Sequence, residues 1–474
     1  MKPDEFRKHA HELVEWMAGY MENAGNYPVK SQVKPGQIFS SIPDLPPGEP
    51  ESFENLMKDF DSIIMPGITH WQSPNFFAYF PANNSPASVL AEMLISTLGV
   101  QGMIWETSPA ATELEEKMMD WLKQMTGLPE EFEGVIQDSA STATLAAILT
   151  AREKIAGFMI NEEGSVTNGQ NLRVYCSDQT HSSVEKAVKI AGIGRKNLVK
   201  VLSRADLSFD PRGLKNAISE DISKGYTPCC VVATLGTTGT TAIDPIRELG
   251  EICHEHGIWL HVDAAMAGTA LLLPEFSWML DGKEYIDSFI FNPHKWMFVN
   301  FDCTAFFTRD AASLIRTFEI LPEYLKTRTR GKVNDYRDWG VPLGRRFRAL
   351  KLWSVIRTYG VKGLQEKVRY HIEIASRLKG LILAEPDFEI VAPVVISVVC
   401  FRYKPAGLAG EELNKINEKL NHTLNDSGKL YLTHTSVRGI YTLRMVTAQT
   451  NVTAEHVEKA WDLIKSTARS IAFK

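Results

Sequence analysis

No apolar run in this 474-residue chain approaches the roughly 18 residues a membrane-spanning helix requires. The start, Met1-Lys2-Pro3-Asp4-Glu5, lacks the apolar core of a secretory signal. None of the six cysteines, Cys176, Cys229, Cys230, Cys253, Cys303 and Cys400, belongs to a C-x-x-C pair. Most lie in apolar runs such as Cys229-Cys230-Val231-Val232, so they read as buried free thiols in a reducing compartment. Cys253, His254, His256 and His261 lack metal-ligand spacing, because residues two apart on a helix face different ways and His261 falls on the next strand. Basic residues are in slight deficit, giving a net charge of −6 and no electrostatic reason to expect nucleic acid or an anionic membrane. The G-x-G-x-x-G fingerprint after a first strand is missing, which argues against a nicotinamide enzyme. Repeats and low-complexity tracts are missing too. These absences point to a cytoplasmic globular protein with no metal, membrane or nucleic-acid partner.

What is there is ordinary globular composition, 44% hydrophobic and 23% charged, long enough for two or three domains. Residues 4–24 carry a helical stripe of Phe6, Leu13, Trp16, Met17 and Tyr20. Pro28 to Pro50 is too proline-rich for helix and is expected to run extended. From about 134 to 307, strand-like and helix-like segments alternate, which predicts a mostly parallel sheet flanked by helices. In that stretch Asp244 is expected to cap a helix with Pro245 at its first position and Gly257 as its stop. Thr180 or Ser182 is expected to cap another. Helical patterns run from Arg345 to Ile382 with breaks near Gly360 and Gly363. Short strands and two helices follow to the end, as in a small α+β domain. The expected divisions are an arm (1–85), a large α/β domain (86–375) and a small carboxyl-terminal α+β domain (376–474).

Chemistry concentrates after two of the predicted strands. Ser288-Phe289-Ile290-Phe291 stops at Asn292-Pro293, and His294-Lys295-Trp296 follows, so a lysine sits at a strand's carboxyl end among apolar neighbours. A desolvated lysine can deprotonate and become a nucleophile able to form a Schiff base, although most lysines simply snorkel to the surface. One strand–loop–strand excursion earlier, Ile258 to Val262 ends in Asp263, then Ala264-Ala265. An acid and a lysine at two such ends are what a pyridoxal phosphate site needs: the lysine holds the aldehyde, and the acid keeps the ring nitrogen protonated. Asp138-Ser139-Ala140-Ser141 opens a helix predicted for Thr142 to Lys154, and a small-residue helix start can cradle phosphate. A serine-rich cap is also common without phosphate.

The segments His261-Val262-Asp263-Ala264-Ala265 and Asn292-Pro293-His294-Lys295-Trp296 resemble those of the group II pyridoxal phosphate decarboxylases, and within them the aromatic L-amino acid decarboxylases. The resemblance covers nearly the whole chain. It implies a fold type I, transferase-like α/β architecture, a homodimer clasped by the amino-terminal arm, and pyridoxal 5'-phosphate bound through Lys295. It implies that Asp263 faces the ring nitrogen, that His181 stacks on the ring and that Ala265 leaves room beneath it. Thr238 would support the ring site, and Ser139, Ala140, Ser141, Asn292 and His294 would hold the phosphate. Asp138 stands where the family usually has glycine. Tyr324 matches the tyrosine that protonates the substrate α-carbon, in a basic segment that reads as a lid or a solvated loop. Phenylalanine at that place accompanies conversion to aldehyde synthases. On the substrate side the resemblance implicates Trp71, Phe80, Ala82, Gln101, Met103, Phe301 and Gly344, with Trp105 and Trp296 as further aromatic candidates. Ala82, Gln101 and Met103 depart from the animal DOPA decarboxylase pattern, which turns the expectation toward tryptophan or 5-hydroxytryptophan ahead of DOPA, tyrosine or phenylalanine. An aldehyde synthase and a catalytically silent binding subunit are the alternatives.

Overall fold

Apolar β-branched and aromatic runs separated by glycine-stopped helices build one seven-stranded sheet in the computed structural model, which describes residues 1–164, 171–320 and 331–472. The strands are β1 (Glu133–Gln137), β2 (Leu172–Ser177), β3 (Leu198–Val201), β4 (Thr227–Thr234), β5 (Trp259–Asp263), β6 (Ser288–Phe291) and β7 (Thr304–Thr308). Their spatial order is β1-β7-β6-β5-β4-β2-β3. Only β7 runs against the others, pairing antiparallel with β1 and β6. The carboxyl ends of the remaining six therefore lie along one edge, where α/β sheets collect their chemistry. Strands β5 and β6 are buried along their whole length, as expected of strands covered on both faces.

Helix Ala140–Ile155 packs on this sheet through a face of small side chains. Ala143, Ala146 and Ala147 meet Val135, Ile290 and Phe306, and small residues let the helix axis come close to the strands. Helix Ile246–His256 ends at Gly257, whose φ of 65° is the left-handed conformation a helix stop requires. Its start differs from expectation. Asp244 does not cap the helix, and Pro245 is the cap residue itself. The Asp244 carboxylate is instead buried, accepting from the Phe209 N–H at 2.8 Å and the Thr234 N–H at 2.7 Å. Burial pushes its pKa up to about 7.

The described chain divides into two compact units. One holds the seven-stranded sheet and comprises Ala82–Glu373 with Ala392–Ile396. The other combines Met1–Pro81, Ile374–Val391 and the chain from Ser397 onward. Its sheet is antiparallel, in the order β10-β11-β9-β8, with β8 (Phe388–Ile390), β9 (Val398–Tyr403), β10 (Thr433–Val437) and β11 (Ile440–Val446). Helices Gly410–Asp426 and Ala454–Ala472 belong to the same unit. Helix Pro3–Asn23 buries no residue. The proline-rich connector is not wholly extended. Residues Gln37–Ser41 form one helical turn in the proline-free gap between Pro35 and Pro43, closed by the Ser40 N–H on the Gly36 carbonyl at 2.9 Å. In helix Arg348–Leu383 the backbone leaves helical geometry at Gly360 (φ 65°, ψ 167°) and not at Gly363. No described helix is long and apolar enough to cross a membrane.

Gly268 sits where the turn after β5 crosses the end of β6. A Cβ there would stand 2.3 Å from the Phe291 Cβ. Gly268→Ala is therefore expected to lower stability by about 1–3 kcal/mol, the usual cost of overpacking, and urea denaturation measures it.

Candidate active site

The site begins with register. Thr234 pairs with Asp263, and Asp263 pairs with Ile290, so three parallel strands finish side by side. Backbone hydrogen bonds continue past the strand ends. Leu235 N–H donates to the Asp263 carbonyl at 2.9 Å, Ala264 N–H to Ile290 at 2.9 Å, and Asn292 N–H to Ala265 at 3.0 Å. Next comes a single helical turn, Pro293–Trp296, with proline at its first position. Lys295 lies on this turn, half-buried, its N–H bonded to the Asn292 carbonyl at 2.9 Å. Asp263 is only 5% exposed. Its Oδ1 accepts from the Ala265 N–H at 3.0 Å, and among the described residues no hydrogen bond to the other oxygen is found. The half-buried Ala265 is thereby tied to both strands.

His181 stands just beyond the end of β2, and it is the cap of helix Ser182–Ile190 in place of Thr180 or Ser182. Its Nδ1 accepts from the Ser183 N–H at 3.2 Å and lies 2.8 Å from the Ser183 hydroxyl. The ring reaches solvent, yet surrounding protein lowers its pKa below the ordinary value; Asp263 opposes that shift and Lys295 adds to it. The same electrostatic neighbourhood thus joins all three predicted groups.

At the end of β1, Ser139 caps helix Ala140–Ile155 through the Thr142 N–H at 3.2 Å. Ala140 is half-buried and Ser141 exposed at the first turn. The Asp138 carboxylate lies beside this start, its Oδ1 accepting the Ser139 hydroxyl at 3.2 Å. Thr238 is exposed in the turn after β4, whereas its neighbour Thr237 is fully buried and accepts the Ala242 N–H at 3.1 Å. Asn292 is 2% exposed, and among the described residues its side-chain oxygen finds no hydrogen-bond partner. His294 is 4% exposed; its Nδ1 accepts the Cys303 N–H at 2.9 Å. Tyr324 lies outside the described residues.

The substrate-side candidates are scattered more widely. Gln101 accepts the Arg345 N–H at 2.6 Å, and its amide would stand 3.2 Å from a Cβ placed on Gly344, so those two positions adjoin. The Met103 carbonyl accepts the Arg337 N–H at 3.0 Å. Phe301 is 63% exposed, its ring 4.7 Å from that of His294. Ala82 is half-buried in the same unit. Trp71 and Phe80 belong to the other unit, where Trp71 stacks on Tyr79 at 5.7 Å and the Arg444 guanidinium lies 4.6 Å over Phe80. Trp296 is fully buried, its indole donating to His371 Nδ1 at 2.9 Å. Trp105 donates its indole N–H to Glu113 at 2.9 Å.

Sequence reasoning passed over the supports of the loop after Lys295. Arg348 grips Asp302 with two hydrogen bonds, at 2.7 and 3.2 Å. Glu92 accepts from Asn300 at 3.1 Å and pairs with the buried Lys351 at 2.9 Å. The arginine-rich run Arg345-Arg346-Phe347-Arg348 was the one available signal.

The residues present fit pyridoxal phosphate. Its ring nitrogen needs a buried acid with an oxygen to spare, as at Asp263, and its phosphate needs a helix start and polar groups, as at Ser139 and the unpartnered Asn292 oxygen. An acid and an amine at adjoining carboxyl ends of a parallel sheet, over such a helix start, define a pyridoxal phosphate-dependent enzyme. Known proteins narrow the class. The family described as pyridoxal-dependent decarboxylase conserved domain matches residues 35–404, and this chain belongs to it. A tyrosine decarboxylase of Petroselinum crispum is 42% identical over 99% of this chain and 94% of its own length. A phenylacetaldehyde synthase of Petunia hybrida is also 42% identical, over 99% and 95%. The solved structure described as Oryza sativa TDC with PLP and tryptamine superposes with a TM-score of 0.96 at 38% identity, covering 99% of both chains.

Three rings in this unit are buried and neutral. Burial pushes His261 down to about 4 and His294 and His371 to about 3, with the Lys295 charge adding at His294 and Lys367 at His371. An unfolded histidine titrates near 6.5, so below that pH the unfolded chain takes up protons that the fold refuses. Stability from these rings is full above about 6.5 and is lost as pH falls toward their folded values. Urea denaturation is expected to show the unfolding free energy falling between pH 6.5 and 5, by roughly 1–2 kcal/mol per ring; a flat profile contradicts their neutrality.

Proposed function

We propose that this chain decarboxylates an aromatic L-amino acid to the corresponding arylalkylamine and CO₂, with tryptophan or 5-hydroxytryptophan ahead of DOPA, tyrosine and phenylalanine. The observation that carries the reading is the hydrogen-bonded alignment of the strand ends bearing Asp263 and Lys295. Pyridoxal phosphate, when bound, supplies a conjugated ring that accepts the electron pair left on the substrate α-carbon as CO₂ departs. Lys295 would hold the cofactor through its ε-amino group. Asp263 holds the proton on the ring nitrogen with its spare oxygen, in a position where little water screens the pair. His181 would stack on the cofactor ring on the side of the substrate carboxylate, and Ala265 would leave room beneath it. Ser139, Ala140, Ser141, Asn292 and His294 take the phosphate, and Thr238 supports the ring site. Tyr324 returns a proton to the α-carbon. Trp71, Phe80, Ala82, Gln101, Met103, Phe301 and Gly344 shape the substrate side; Gly344 leaves room for a large ring.

The functional unit in this reading is a homodimer in the cytoplasm. Helix Pro3–Asn23 has no buried residue of its own, and Leu90 and Leu94 on helix Pro86–Leu98 are 60% and 57% exposed, as surfaces covered by a second copy are. An aldehyde synthase is the second reading, favoured by the equal identity to such a relative. The tyrosine at 324 favours plain decarboxylation.

A turnover panel of the five aromatic amino acids and glutamate tests the substrate. Amine and CO₂ in equal amounts from an aromatic substrate are expected, and a preference for glutamate sinks the proposal. Release of peroxide and ammonia marks the synthase instead. Asp263→Ala is expected to lower kcat by about 10²–10³-fold, as loss of other electrostatic catalytic groups does. Borohydride treatment of the holoenzyme is expected to leave the cofactor fixed to Lys295. Asp138 gives a test in the opposite direction. Its carboxylate beside Ser139 repels a phosphate, so Asp138→Asn is expected to tighten cofactor binding by roughly three- to tenfold, about 1 kcal/mol between charges a few Å apart in a wet site. Titration of the apoenzyme with pyridoxal phosphate measures it.

A further inference from the structure

The turn that carries Lys295 cannot hold itself. It has four residues, and its backbone closes through the Lys295 N–H on Asn292 at 2.9 Å and the Met297 N–H on Pro293 at 3.1 Å. One isolated helical turn loses more conformational entropy than so few hydrogen bonds return. Its geometry must be imposed by side chains on either side of the lysine. On one side His294 is fixed, its Nδ1 accepting the Cys303 N–H at 2.9 Å. On the other side Trp296 is fixed, its indole donating to His371 Nδ1 at 2.9 Å, with the two rings stacked 12° from parallel at 6.4 Å. Trp296 is wholly buried and His371 is 2% exposed. An indole N–H can only donate, so its burial demands an acceptor.

We propose that His371, on helix Arg348–Leu383 and outside the catalytic groups, is a positioning residue that sets the place of the Lys295 amine by accepting the Trp296 indole N–H. The surroundings suit an acceptor. His371 also packs against Phe298, ring to ring at 5.8 Å. The nearby cation Lys367 lies over the Phe298 and Tyr359 rings, at 5.7 and 5.2 Å. A positive neighbour and an apolar shell both keep the imidazole uncharged, with Nδ1 open to accept. Phe298 itself holds a left-handed φ of 60°, its carbonyl accepting the Ser85 hydroxyl at 2.8 Å, so the segment leaving the turn is clamped as well.

The inference rests on Lys295 being the attachment residue, which the borohydride experiment establishes separately. The test compares holoenzyme carrying His371→Leu, which removes the acceptor, with His371→Asn, whose side-chain oxygen can replace it. Three quantities are read: the pH midpoint of the bound cofactor's visible absorbance, kcat with KM, and the thermal midpoint. The leucine variant is expected to displace the absorbance midpoint by about half a pH unit or more. It is expected to lower kcat about tenfold with little change in KM, because a misplaced amine harms reaction more than binding. The asparagine variant is expected to restore both. A leucine variant that melts earlier but keeps the wild-type absorbance midpoint and kcat overturns the proposal and leaves His371 a packing residue. Should the leucine variant fail to fold, Trp296→Phe removes the donor from the same bond. The same displacement is then expected, and an unchanged midpoint and kcat overturn the proposal.

Discussion

Everything at the site depends on the lateral pairing of β4, β5 and β6. Parallel strands bring their carboxyl ends to one edge, but alignment to within a residue is needed before an acid on one strand can serve the same small molecule as a lysine beyond the next. Here the register Thr234–Asp263–Ile290 supplies it, and the hydrogen bonds of Leu235, Ala264 and Asn292 extend it into what would otherwise be loose loops. A slip by one residue on β5 would turn Asp263 to the opposite face of the sheet.

The sheet edge also reconciles charge with burial. Asp263 is nearly inaccessible, and a lone ionised acid there would be costly. It is compensated by a backbone N–H on one oxygen and by a site able to present a cationic ring nitrogen to the other. The histidines around it are kept uncharged by the same dryness, so hydrogen bonding rather than ionic attraction fixes them: His261 between Ser288 at 2.8 Å and Thr144 at 3.4 Å, and His294 against Cys303. Ionic grips appear one layer out, in Arg348–Asp302 and Lys351–Glu92, where they brace the loop rather than touch its chemistry.

Much of this was legible in the chain. The strands of the parallel sheet announce themselves as short apolar runs, and Lys295 and Asp263 stand out because each follows such a run. The caps were harder to read. Asp244 carries the standard signal for a helix start, yet its carboxylate is taken by the backbone N–H groups of Phe209 and Thr234, a tertiary demand no local pattern reveals. His181 caps through a ring nitrogen where the usual hydroxyls on either side were available. Trp296 looked like a pocket aromatic by its place beside the lysine. Its partner, His371, lies on a helix far along the chain, and separation of that kind leaves no trace in sequence spacing. Asp138 stands out in the sequence by its charge, but no local pattern tells that its carboxylate accepts the Ser139 hydroxyl.

The reversed direction of β7 has a consequence for the lysine. A parallel strand after β6 would need a crossover of a dozen or more residues, ordinarily a helix, to return to the starting end of the sheet. Because β7 runs backwards, the chain from the Lys295 turn re-enters the sheet at Thr304 after a short loop. The amine is thus tethered at both ends on a short leash between two neighbouring rungs of one ladder. Any shift of the amine's position must come from the lysine's own methylene chain rather than from travel of the backbone.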